Sequence, residues 1–290
     1  MVSTHRILFP IDFSNYPFVV PPAVGELIHR PNTEVILLHV IEAAGSSGSQ
    51  LAQGIQKLDI LAQRHFGHSI VRRRLDNGSP AARILDYIRD HDIDMVVMPA
   101  RDSGGFGKGA LGRVASEVLA KASCPVWLEW RHGVERTDAT AASLRICCTM
   151  DGAGPAEKTL RDAVAITEQL RGELTIISSI QPRPSDCFAL LRDPVMSERA
   201  VVRETERIDR WRRRMAPNAD VAVAVGWMEG VIGRVLRDRR ADLLITGDCR
   251  QAILAAEATC PVLRVALRPQ GADGFRGRIP AELPEYRRVA

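Results

Sequence analysis

Between Asp94 and Trp130 the sequence combines an apolar strand, a glycine-rich loop and a helix start, a pattern suited to binding an anion. Residues 95–98 form a short apolar run typical of a strand buried on both faces. Four glycines argue against regular structure over 101–109, and apolar residues at spacings of three and four predict a helix over 110–122. Backbone N–H groups exposed at a helix N-terminus bind phosphate well. The loop is therefore a candidate phosphate site.

A second candidate is Asp12, which follows the first apolar run, residues 6–11. If this run is a strand of a parallel sheet, Asp12 lies at the carboxyl edge, where open α/β folds bind ligands. The alternative is that Asp12 or Ser14 caps the next helix. One side chain can serve both purposes, so both interpretations stay open.

These residues need a scaffold, and the periodicity of the apolar residues predicts it. Strands and helices alternate, which predicts a doubly wound parallel sheet. The predicted strands are 6–11, 34–40, 69–75, 95–98 and 126–128. The first predicted helix ends at 30, and the other three span 51–66, 79–91 and 110–122. The third strand carries three consecutive arginines, which favours a place at the sheet edge.

The pattern then repeats. Asp151 follows an apolar run 139 positions after Asp12, and Cys260-Pro261-Val262 repeats Cys124-Pro125-Val126. Such self-similarity indicates an internal duplication. The predicted domains are 1–131 and 144–268, joined by a linker at 132–143 and followed by a tail at 269–290.

The two copies differ at the glycine-rich loop. Asp94 and Cys124 are 30 positions apart in the first copy, whereas Asp242 and Cys260 are only 18 apart in the second. The missing residues are the loop and the start of its helix. A phosphate site is therefore predicted in the first copy alone.

Composition excludes several classes of protein. The net charge is +4, and the basic runs at 72–74 and 212–214 lack any nucleic-acid-binding module around them. No apolar run is long enough to cross a membrane. The six cysteines and seven histidines show no metal-ligand spacing and no catalytic constellation. We expect a cytoplasmic protein with reduced thiols, no metal site and no catalytic residues, which binds neither nucleic acid nor membrane.

Several segments in this order resemble the universal stress proteins, in a tandem arrangement. The first copy carries ILFPIDFS, LLHV, NGSPAARIL, DMVVMP and GALGRVASEVLAKASCPVW, and the second carries ICCTMDG, ADLLITG and ATCPVL. The resemblance implies a five-stranded parallel sheet of order 3-2-1-4-5 in each copy. It also implies that the copies pair through their last strands as a pseudo-dimer, and that a second tandem chain docks to form a homo-dimer.

Some members of that family bind ATP or AMP, and the resemblance carries their contacts onto Asp12, Val40 and Met98. The family's glycine pattern falls on Pro99, Asp102, Gly112 and Arg113, of which only Gly112 matches. The implied nucleotide site, for ATP or AMP with Mg²⁺, consists of Asp12, Val40, Met98, Gly107, Lys108, Gly109, Gly112 and Arg113.

The departures from the pattern have opposing effects. Proline at 99 removes an N–H donor, and the Asp102 carboxylate repels phosphate. Lys108 and Arg113 add positive charge beside the loop, and Arg113 can replace a hydroxyl contact with a charge-assisted one.

Two functions follow as hypotheses. In the first, the chain is a stress-response regulator that senses a nucleotide in its first domain. In the second, it is a protein-interaction module that has lost nucleotide binding in both domains. The charged segment 192–215 is either a solvated helix or a docking surface for an unknown protein partner. An enzyme of the wider adenine-nucleotide group is disfavoured, because no nucleophile, base or metal set is present.

Overall fold

A computed structural model describes the chain at residues 5–13, 18, 20–42, 48–67, 69–100, 111–129, 143–150, 156–181, 194–247 and 260–265. The predicted tail lies outside these residues, and only Ser143 of the predicted linker lies within them. Among the described helices, none has both the length and the apolar character needed to span a bilayer.

Strands and helices alternate through both halves of the described chain. The strands are β1 (His5–Pro10), β2 (Thr33–Ile41), β3 (Ile70–Asn77), β4 (Met95–Pro99), β5 (Val126–Glu129), β6 (Arg145–Thr149), β7 (Glu173–Ile180), β8 (Asp220–Val225), β9 (Leu243–Thr246) and β10 (Val262–Arg264). The helices are α1 (Pro22–Ile28), α2 (Gly48–Phe66), α3 (Pro80–Asp90), α4 (Arg113–Lys121), α5 (Ala156–Gln169), α6 (Pro194–Met215) and α7 (Met228–Asp238).

All ten strands form one sheet, in the order β3-β2-β1-β4-β5-β10-β9-β6-β7-β8. Each half has the predicted order 3-2-1-4-5 with parallel neighbours, so the fold prediction is confirmed. The predicted edge position of the third strand is also confirmed. We refer to the half with β1–β5 as the first domain and to the half with β6–β10 as the second.

The two domains meet where β5 and β10 pair antiparallel, a contact that we name the seam. Trp127 lies opposite Leu263, with Leu128 opposite Val262 and Val126 opposite Arg264. Because Val126 and Val262 are equivalent positions of the repeat, this register places a local twofold axis at the Trp127–Leu263 pair. The predicted pseudo-dimer is therefore formed within one chain.

Helices cover both faces of the sheet, as alternating strands and helices require. On the front face α3, α4 and α7 pack on one apolar layer. On the back face α1, α2, α5 and α6 pack on the other. Both layers include residues of both domains, so the hydrophobic core continues across the seam.

Helix α4 begins later than its sequence pattern predicts. The apolar spacing predicts a start at 110, whereas the helix begins at Arg113 with Gly112 as its N-cap in extended conformation, at φ −61° and ψ 149°. The predicted third strand likewise extends further, to Asn77, where Gly78 takes a φ of +128° that favours glycine. Both differences occur where glycine changes the direction of the backbone.

Candidate functional site

The strand order reverses between β1 and β4, and in open α/β sheets ligands bind beside this point, at the carboxyl ends of the strands. Asp12 lies two residues beyond β1 and is exposed. Helix α4 begins at the same edge, after β4 and the glycine-rich loop. The structure therefore places Asp12 and Gly112 at the same edge of the sheet.

A series of backbone hydrogen bonds positions the start of α4. The Gly112 N–H donates to the Ala100 carbonyl at 2.8 Å, and the Ala100 N–H donates to the Glu129 carbonyl at 2.9 Å. Among the described residues, no side-chain hydrogen bond caps the N-terminus of α4. Arg113, the first residue of the helix, is exposed. A helix N-terminus of this kind, with a cation beside it, favours an anion.

Val40 and Met98 lie near the carboxyl ends of β2 and β4, at this edge of the sheet. Met98 is only 5% exposed and belongs to the front-face core, against which the half-buried Val40 packs. The side chain of Met98 is therefore occupied by packing, and a ligand at this position would meet its backbone.

The other predicted site residues, Gly107, Lys108 and Gly109, lie outside the described residues, as does Asp102. Pro99 is described and exposed, and it lies opposite Glu129 in the β4–β5 register. Because proline has no N–H, the next donor to this part of β5 is the N–H of Ala100. Pro99 therefore offers a ligand no N–H donor at the end of β4.

Lys57 is a candidate binding residue that sequence reasoning missed. Its ammonium nitrogen lies 5.3 Å from the centroid of the Phe13 ring. Phe13 directly follows Asp12 in the chain. Phe13 in turn packs edge-to-face on His39 at 4.6 Å between ring centroids, and His39 Nδ1 is hydrogen-bonded to the Ile11 carbonyl at 2.8 Å. The only sequence signal was that Lys57 is one of four lysines in the chain.

The equivalent edge of the second domain is built differently. The Thr149 hydroxyl donates to the Thr246 hydroxyl at 3.0 Å, and both side chains are buried. Thr246 occupies the position that corresponds to Met98, so two hydroxyls bond to each other at this edge. Asp151, the counterpart of Asp12, lies outside the described residues.

Glu129 is a titratable group near this site that the sequence did not reveal. Burial raises the pKa of its carboxyl from 4.5 to about 7, and the hydrogen bond from Trp127 opposes this rise. That bond runs from Trp127 Nε1–H to Glu129 Oε2 at 3.0 Å. Because Glu129 is the last residue of β5, its carboxyl lies at the seam and at the carboxyl edge.

Arg264 is a buried charge contributed by the second domain. It is 6% exposed, and its Nη2 donates to the carbonyls of Ala122 at 3.0 Å and Cys124 at 3.1 Å. Both carbonyls follow the C-terminal end of α4, where a cation also interacts favourably with the helix dipole. The predicted apolar strand around Cys260-Pro261-Val262 gave no indication of this contact.

The four described cysteines, Cys124, Cys147, Cys148 and Cys260, are buried thiols. Burial raises the pKa of Cys147 to about 12 and also raises the pKa values of Cys148 and Cys260. Among the described residues no group of His, Cys, Asp or Glu side chains could hold a metal ion.

We expect these thiols to be unreactive in the folded protein, because the thiolate is the reactive form and all four are buried. Titration with a thiol reagent at pH 8 should modify at most two of the six cysteines, Cys187 and Cys249, which lie outside the described residues. All six should react in denaturant. Rapid modification of a third thiol without denaturant would contradict this burial.

Comparison with known proteins agrees with the fold. Residues 3–128 match the model of the universal stress protein family. A universal stress protein from Archaeoglobus fulgidus aligns over 91% of this chain and 99% of its own length, with 19% identity and a TM-score of 0.59. A putative universal stress protein from Pseudomonas aeruginosa aligns over 91% of this chain and 93% of its own, with 14% identity and a TM-score of 0.66. No curated protein matches the chain in sequence.

Proposed function

We propose that this chain, whose residues 3–128 match the universal stress protein family, is a stress-response regulator that binds ATP or AMP in its first domain. Gly112 carries the proposal: it is the N-cap of α4, at the edge of the sheet where Asp12 follows β1. Phosphate groups would bind the first turn of α4, beside Arg113.

Charge supports an anionic ligand. Lys57 lies over the Phe13 ring, next in the chain to Asp12, and Arg113 is the first residue of α4. The sequence adds Lys108 between β4 and α4. Asp12 would bind the sugar hydroxyls or, through Mg²⁺, the phosphates, since a bare carboxylate next to phosphate is repulsive. We propose that Mg²⁺ accompanies the ATP or AMP, held by the phosphates with at most one or two carboxylates of the protein.

We propose that the second domain binds no nucleotide. Its Thr149 and Thr246 hydroxyls bond to each other at the corresponding edge, and its sequence lacks the glycine-rich loop. Its role would instead be to pair with the first domain through the seam. We further propose that the protein binds rather than catalyses and acts in the cytoplasm.

Titration calorimetry with ATP and with AMP, each with Mg²⁺, tests this function. We expect one site per chain, and we expect Asp12→Ala and Gly112→Val to weaken binding at least tenfold, because each removes or blocks a predicted contact. The matched control is Asp151→Ala, which changes the equivalent aspartate of the second domain and should leave binding unchanged.

The alternative function is a protein-interaction module without a ligand, in which a second tandem chain or another protein binds the outer helices. The arginine-rich exposed side of α6 favours it, since Arg199, Arg203 and Arg210 are all exposed there. If neither ATP nor AMP binds at millimolar concentration and neither co-purifies with the protein, the nucleotide proposal fails and this alternative takes its place.

A further inference from the structure

The two outer strands of the sheet, β3 and β8, each have one side that faces no other strand. The Gly78 N–H donates to the Ile41 carbonyl beyond the end of β3, and the Gly226 N–H donates to the Ile180 carbonyl beyond the end of β8. Because backbone groups alternate in direction along a strand, the odd-numbered residues of β3 and β8 point their N–H and C=O groups away from the sheet. Such a row of backbone groups can pair with another strand.

Side chains occupy several of the outward backbone groups of β3. Arg73 Nη1 donates to the Val71 carbonyl at 3.2 Å, and Arg83 Nε donates to the Asn77 carbonyl at 3.0 Å. The Asn77 N–H donates to Asp76 Oδ1 at 2.7 Å. These bonds and the charges of the strand oppose pairing with a further strand.

The outer edge of β8 lacks this protection. In the part of the chain that the structure describes, no side chain bonds to the outward backbone groups of Val221, Val223 or Val225. Valine has a high β-propensity, and the one charged residue of the strand, Asp220, is paired with Arg239 at 2.8 Å. The backbone of β8 is therefore available to another strand.

The internal repeat shows that residue type causes this difference. The strand registers align residues 220–225 of β8 with residues 72–77 of β3. The stretch reads RRRLDN in β3 and DVAVAV in β8, so valine and alanine replace the side chains that block the first edge. Two residues further on, Ser79 corresponds to Trp227, which is 65% exposed.

We propose that β8 pairs antiparallel with β8 of a second copy of this chain, about a twofold axis at Val223. In this register Val223 faces Val223 of the partner subunit, and Val221 faces Val225 of the partner subunit. All are outward residues, so each facing pair exchanges two backbone hydrogen bonds. Asp220 lies opposite Gly226 of the partner subunit, so the twofold axis opposes no like charges.

A second copy fits this edge because the strand is complementary to itself. Registers centred on Ala222 or Ala224 leave one of the three valines without a partner in β8. The proposed register also places Trp227 opposite Ala219 of the partner subunit, where the exposed indole gains a contact. The chain already uses this geometry at the seam, where β5 and β10 pair antiparallel about a local twofold axis.

Sedimentation equilibrium of the full-length chain tests the assembly. We expect a wild-type dimer, with twice the 31.9 kDa mass of one chain. Ala222→Arg restores the arginine of its counterpart Arg74 and should raise the dimer dissociation constant at least about tenfold, because two guanidinium groups then lie diagonally across the axis. The matched control is Ile70→Arg, which adds the same charge at an exposed position of β3 and should not change the dissociation constant.

Disulfide cross-linking tests the register. Val223→Cys places a thiol opposite its own copy at a Cα separation of about 5.5 Å, so mild oxidation should give a covalent dimer that a reductant separates. The control is Val221→Cys, whose thiol lies four residues from its copy, roughly 13 Å away and too far for a disulfide. Wild-type protein oxidised in the same way gives the background from the native cysteines.

The results decide between pairing of two copies and other uses of this edge. A wild-type chain that stays monomeric at about 100 µM would overturn the proposal, even if another protein binds β8. A dimer that Ala222→Arg does not weaken, or that Val223→Cys does not cross-link above the Val221→Cys level, would overturn the pairing through β8. Neither measurement involves a nucleotide, so both leave the proposed nucleotide function untouched.

Discussion

Replacing Trp127 by alanine is expected to lower the free energy of unfolding by about 3–5 kcal/mol. Trp127 is 1% exposed, belongs to the back-face core and lies opposite Leu263 at the centre of the seam. The substitution leaves a cavity where the two domains meet, and it removes the indole donor to Glu129. Urea unfolding followed by circular dichroism measures the change.

The chain supplies a matched control in Trp227, which is 65% exposed at the N-cap of α7. Trp227→Ala should change the free energy of unfolding by no more than about 0.5 kcal/mol. Similar losses for the two tryptophans would mean that the seam contributes little to stability. A loss confined to Trp127, with two separate unfolding transitions, would show that the domains unfold independently once the seam is weakened.

Glu129→Gln is expected to stabilise the protein by as much as about 3 kcal/mol at pH 8 and not at all below pH 4.5. The folded pKa of about 7 exceeds the ordinary value of 4.5, so the folded state binds more protons than the unfolded state between these values. Wild-type stability therefore falls as the pH rises from about 4.5 to 7, and above pH 7 the loss is complete. Glutamine keeps an acceptor for the Trp127 indole without the buried charge.

Unfolding free energies of both proteins at several pH values between 4 and 8.5 measure this difference. The two curves should coincide in acid and separate as the pH approaches 7. Glu173→Gln, which removes an exposed glutamate far from the seam, should follow the wild type throughout. Parallel curves for Glu129→Gln and the wild type would mean that the Glu129 carboxyl titrates normally in the folded protein.

The fold could be predicted because its determinants are local and periodic. Short apolar runs, helical spacing and repeated motifs such as Cys-Pro-Val place every strand of the first domain within a few residues of its observed position. The carboxyl-edge position of Asp12 follows from the same pattern. The start of α4 could not be read from spacing, because Leu111 continues the apolar periodicity while the backbone at Gly112 stays extended.

The seam residues could not be predicted, because their properties arise from contacts between distant parts of the chain. Arg264 bonds to carbonyls 140 and 142 positions earlier, and no local pattern signals a buried arginine. The pKa of Glu129 is raised because the folded chain buries its carboxyl, which the local sequence does not indicate. The position of Lys57 beside Phe13 likewise depends on how α2 packs against the edge of the sheet.

Because β5 and β10 pair within one polypeptide, the two sides of this interface can differ in sequence, whereas the two sides of a homodimer interface cannot. In an isologous interface every residue occurs twice, so an arginine at this position would bring a second buried guanidinium, and a glutamate a second buried carboxylate. Covalent linkage makes the two sides chemically inequivalent, so one Glu129 and one Arg264 suffice. Fusion of the two halves thus permits a division of labour, in which one side of the interface can be altered by mutation without altering the other.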